Sequence, residues 1–100
     1  MATILILDND LGFVFWLGQT LTTPQCTALP ALSVPEANTL ISQLKLTIDF
    51  LIMNPAVPGA AEFTRSLRKQ HRQMRVATLA PPLGEAGDRG NFENVIAREN

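Results

Sequence analysis

The chain has 100 residues, 46% of them hydrophobic, with eight Lys and Arg against nine Asp and Glu and a formal net charge of −1. This length suits one domain with a modest core, and the apolar content excludes a disordered segment. A pI near 5.7 supplies no global attraction to nucleic acid or to an anionic membrane.

The opening run TILIL (3–7) is apolar, β-branched and ends at Asp8, the profile of a strand buried on both faces. Asp10 is placed to cap a helix over roughly 11–22, with Phe13, Trp16, Leu17 and Leu21 as its apolar stripe. TTPQ (22–25) stops that helix. CTALPAL (26–32) is an edge strand, because Pro30 cannot donate to a ladder. Ser33 and Glu36 have capping-box spacing, with Pro35 between them, and open a helix to about Lys45 that buries Ala37, Leu40, Ile41 and Leu44.

DFLIM (49–53) is a second buried strand, NPAVPG (54–59) a loop, and residues 60–71 a helix built on Phe63 and Leu67. RVATLA (75–80) gives a further strand, PPLGEAGDRG (81–90) a loop, and NFENVIAR (91–98) a short amphipathic helix. Cys26 is the single cysteine, so neither an intrachain disulfide nor a cysteine-based zinc site can form, in keeping with a reducing compartment. The start lacks the charged leader of a secretory signal, and no run approaches the ~20 apolar residues of a membrane span. A cytoplasmic protein, bound neither to membrane nor to nucleic acid, is the expectation.

Strands alternating with helices imply right-handed βαβ crossovers and a parallel sheet covered on both faces. Proline in the second strand fixes it at an edge, and the order 2-1-3-4 satisfies that, giving a flavodoxin-like doubly wound sheet in one domain. The working crevice of such a sheet lies at the carboxyl ends of its strands. That rim carries Asp8, Asn9, Asp10, Asn54, Leu79 and Ala80.

Over residues 3 to about 80, the chain resembles the CheY-like receiver domain of two-component response regulators. ILILDND matches the first strand and its acidic cluster, IDFLIMNPAVPG the phosphoacceptor strand and its Pro58-Gly59 loop, and VATLA the switch strand. The resemblance implies a module that takes a phosphoryl group from a histidine kinase onto one Asp with Mg²⁺, gripped by a Thr or Ser after the fourth strand and a Lys after the fifth. Carried across, the acidic pair becomes Asp8 and Asn9, the acceptor becomes Asn54, and the switch hydroxyl becomes Leu79, with Thr78 adjacent. The fifth strand and helix are missing or rearranged, and the lysine with them. That leaves an apolar edge, implying either a longer natural chain or a homodimer or swapped dimer.

An amide nitrogen is no nucleophile toward phosphorus, Mg²⁺ wants hard anionic oxygens, and leucine cannot grip a phosphoryl oxygen. Phosphoryl transfer rests on positioning and charge neutralisation, so these losses compound. The expected function is a pseudo-receiver, not an enzyme, that binds a protein: a histidine kinase, a phosphotransfer protein or an effector domain. Val14 and Phe15 add apolar area to the first helix and mark its interaction surface. No cofactor is expected beyond a weak Mg²⁺ or Ca²⁺ site at Asp8 and Asp10. His71 and the basic run RSLRKQHRQMR (65–75) read as solvated helix surface. The alternatives are a small-ligand binder or enzyme on the same sheet, or a receiver with atypical phosphorylation.

Overall fold

The computed structural model describes residues 1–79 and the strand Val95–Ile96. The elements in chain order are β1 (Ala2–Leu7), α1 (Leu11–Leu21), β2 (Cys26–Ala31), α2 (Val34–Leu44), β3 (Phe50–Met53), α3 (Ala60–Gln70), β4 (Arg75–Leu79) and β5 (Val95–Ile96). All pairings in the sheet are parallel, in the order β2-β1-β3-β4-β5. The 2-1-3-4 order expected from the sequence is therefore present, with Pro30 on the edge strand.

Strand alternation divides the core in two. Leu5, Leu7, Leu51, Met53 and Val76 face one side, packed with Ala37 of α2 and Phe63 and Leu67 of α3. Ile6, Ile52, Ala77 and Leu79 face the other, packed with Val14 and Leu17 of α1. The caps behave as the sequence implies. Asp10 Oδ1 accepts from the Phe13 N–H at 3.1 Å, and Ser33 Oγ accepts from the Glu36 N–H at 3.2 Å. Glu36 reaches back to accept from the Leu32 N–H at 3.3 Å.

Four expectations need correction. Of the expected α1 stripe, Leu17 is buried and Phe13 and Leu21 pack against the core, but Trp16 is not part of it, and Val14 and Gly18 are buried in its stead. Val14 is fully buried and cannot belong to a surface, whereas Phe15 and Trp16 are 54% and 59% exposed. An apolar helix such as LGFVFWLGQTL has no polar side to mark its outward face, and the face buried here carries Val14, Leu17 and Gly18, with Gly18 beside Ala28 of β2. Leu44 is exposed, because α2 ends there and Lys45 takes the left-handed conformation (φ 51°) that turns the chain away.

Residues 95–96 form β5 and not part of a helix over 91–98: two β-branched residues in a row suit a strand. Pairing Thr78 with Val95 and Leu79 with Ile96, β5 covers the carboxyl half of the β4 edge that the sequence left bare. Lastly, His71 is more than solvated surface. It is half-buried, and its Nδ1 accepts from the Ile48 N–H at 3.2 Å, tying the end of α3 to the start of β3. Ala80 and the loop over 81–90 lie outside the described residues.

Candidate functional site

Three strand ends meet at the carboxyl rim. The ladder runs one step past β1 and β3: Asp8 N–H donates to the Ala31 carbonyl at 3.1 Å and Asn54 N–H to the Leu7 carbonyl at 2.8 Å. In register, Met53 lies beside Thr78, so the next residues along, Asn54 and Leu79, are neighbours. Asp8, Asn54 and Leu79 thus form a row across the sheet, on the face that packs against α1. Continuing the register, Leu79 lies beside Ile96, so the fifth-strand residue of this row is aliphatic where the receiver resemblance implies a lysine nearby.

Asn54 is 8% exposed and every polar group it has is engaged. Its side-chain Nδ2 donates to Asp8 Oδ1 at 3.3 Å. Its Oδ1 accepts from the Ala56 N–H at 2.9 Å, and its carbonyl accepts from the Val57 N–H at 3.1 Å. The Ala56 bond is an Asx turn and the Val57 bond closes a backbone β-turn over it, starting the NPAVPG loop; the first is a local reason for an amide or carboxylate here. The orientation of the amide is fixed by its neighbours, since a flip would turn an acceptor toward Asp8 and a donor toward the Ala56 N–H.

Asp8 is fully buried, with Oδ1 accepting both from Asn54 and from the Asp10 N–H at 3.2 Å. Both donors fall on Oδ1, whereas Oδ2 is buried and accepts no hydrogen bond from the described residues; a divalent cation there would still require further acceptors. Asp10, the other candidate ligand, already spends Oδ1 on capping α1. Asn9 is exposed between them. The residues present therefore fit a metal ion poorly, and among the described residues no group of three His, Cys, Asp or Glu could hold one.

Leu79 is buried in the α1-side cluster with Ile6, Val14 and Ile52. Thr78 is buried too, yet alternation gives it the opposite face, shared with Val76. Its hydroxyl therefore cannot stand in for a switch hydroxyl at position 79. Phe15, in contrast, stays exposed and lines a shallow groove of about 370 Å³ with Gly18, Gln19, Thr22, Ala28 and Pro30. The sequence reading missed Trp16 as a surface residue. Its signal was the interior Gly18, which marks the helix face that approaches the sheet.

No family model and no curated protein matches the chain. Solved structures do. A response regulator receiver domain protein from Clostridium thermocellum aligns with TM-score 0.74 and 19% identity, covering 98% of this chain and 82% of that one. TrrA from Thermotoga maritima, in complex with Mg²⁺-BeF, aligns with TM-score 0.72 and 17% identity over 99% and 88% of the two chains. The complex of CheY6 with the phosphorylated P1 domain of CheA3 from R. sphaeroides aligns at 0.67 and 19% over 99% and 85%. This chain has the fold of the CheY-like receiver domains.

Proposed function

We propose that this receiver-fold chain is a signalling module of the two-component type that takes no phosphoryl group and acts by binding a protein partner. The observation that carries the reading is the Asn54–Asp8 hydrogen bond at 3.3 Å. In a phosphoacceptor site the same pair of positions would be two carboxylates held together by a cation. Here the amide itself donates to Asp8 Oδ1 in place of a cation, while Asp8 Oδ2 is buried and accepts no hydrogen bond from the described residues. Nothing at position 54 can attack phosphorus, and Leu79 fills the space beside it with hydrocarbon.

The state of such a module is set by what it binds, since the chemical input has no place to act. A partner is available in kind: CheY6 and TrrA have each been solved with a histidine kinase or its P1 domain. For this chain the corresponding partner is a kinase, a phosphotransfer protein or an effector domain. The outer side of α1 suits that role, with Leu11, Phe15 and Trp16 all more than half exposed on a helix without a single charge. Aromatic side chains in such a position give large contact area at low entropy cost.

The test is incubation with acetyl phosphate and Mg²⁺ followed by intact-mass measurement. The expected spectrum shows the unmodified chain alone. A phosphoryl adduct that grows to saturation, and is lost on Asp8→Asn, would sink the reading, because it would make Asp8 the acceptor.

A further inference from the structure

The outward side of α3 has no part in the site above. Five of the eight Lys and Arg of the chain fall within residues 65–75, with no Asp or Glu among them, leaving three cations against nine acids elsewhere. Arg65, Arg68 and Lys69 stand three and four residues apart, on one side of the helix, and Arg72 follows in the turn directly after it. The buried residues Ala60, Phe63 and Leu67 occupy the other side, so the basic ridge points straight to solvent. Arg65, Arg68, Lys69, Arg72 and Arg75 are all exposed. Among the described residues, Arg65, Lys69, Arg72 and Arg75 form no ion pair.

Local causes account for a part of this pattern. Cations in the last turn oppose the negative end of the helix dipole, and Glu62 in the first turn complements the positive end. One or two cations suffice for that, and the run continues past the helix end. We propose that the α3 ridge is a docking surface for an acidic helix of a protein partner, separate from the apolar outer side of α1 and on the opposite face of the sheet. Charge complementarity gives the sign of the partner, and spacing gives its form. Carboxylates at four-residue intervals on a facing helix repeat with the same pitch as Arg65 and Lys69.

The arginine forks of Arg65 and Arg72 match carboxylates in two-point contacts. A long polyanion such as duplex DNA fits less well. The chain is net acidic outside the ridge, so an extended phosphate backbone leaving the ridge meets repulsion, whereas a short acidic helix meets the ridge alone.

The test titrates the isotope-labelled full chain with three probes at low salt: a helical peptide with Glu at three- and four-residue intervals, the same peptide with Gln for Glu, and a short DNA duplex. The expected result is saturable amide shifts over residues 65–72 with the Glu peptide alone. That binding falls about tenfold or more in the triple variant Arg65→Gln, Lys69→Gln, Arg72→Gln. The positions are exposed, so the variant keeps its fold, checked by unchanged shifts at Leu5 and Leu51 in the core. Absence of Glu-peptide binding overturns the proposal. So does binding of the Gln peptide with equal affinity, or of DNA as tightly as the Glu peptide, since either would make the ridge a non-selective surface or a nucleic-acid site.

Discussion

At the scale of single residues, the site turns on what an amide does beside a buried carboxylate. Asn54 offers Asp8 a donor, and an Asp at the same position would offer a second negative charge 3.3 Å away, in a place only 8% exposed. Asn54→Asp therefore destabilises the metal-free protein by about 2 kcal/mol, from one lost buried hydrogen bond and like-charge repulsion. Urea unfolding measures this directly. Added Mg²⁺ restores part of the loss, because a cation that binds the folded state alone stabilises it by mass action. A midpoint that does not fall would mean that the Asn54–Asp8 bond carries no weight. The same variant still gives no phosphorylated species with acetyl phosphate, since Leu79 remains packed into the α1-side cluster. The identity of these residues was legible in the sequence, because they fall at strand ends. Their bonds were not: the sequence says nothing of which way Thr78 points, and only strand register showed that its hydroxyl is on the wrong face.

At the scale of elements, patterning and caps gave the helices, and small residues gave their orientation. Asp10 and Ser33 were readable as caps because a short oxygen-bearing side chain before an apolar run satisfies an orphan N–H. The buried stripe of α1 was harder, since a helix with no charge leaves its polar side unmarked. The packing resolves it: Val14, Leu17 and Gly18 are buried, with Gly18 beside Ala28 and Ile6 of the sheet. The end of α2 was readable only roughly. Lys45 closes it in the left-handed region, φ 51° and ψ 50°, where a side chain is strained and glycine is not. Lys45→Gly should stabilise the chain by roughly 1 kcal/mol, read as a higher urea midpoint with an unchanged slope. A lower midpoint would show that the lysine side chain contributes more than its backbone strain costs.

At the scale of the whole molecule, the sheet presents the Asp8, Asn54 and Leu79 rim between two helix faces of different character. One face exposes Phe15 and Trp16 on an uncharged helix, and the other exposes a basic ridge on α3. The sheet order was legible because Pro30 could only sit at an edge. The pairing of β5 was not, because a two-residue strand is defined by its neighbour β4 and has no periodicity of its own. If Asn54 leaves the rim without an acceptor, then the molecule as a whole has one state with respect to phosphate. Beryllofluoride with Mg²⁺, which forms a phosphoryl-like complex on an acceptor carboxylate, tests this most directly when followed by amide shifts across the labelled chain. The amides of Asp8, Asn54, Ala56 and Leu79 are expected to stay where they are at saturating reagent. Saturable shifts at those four positions would contradict it.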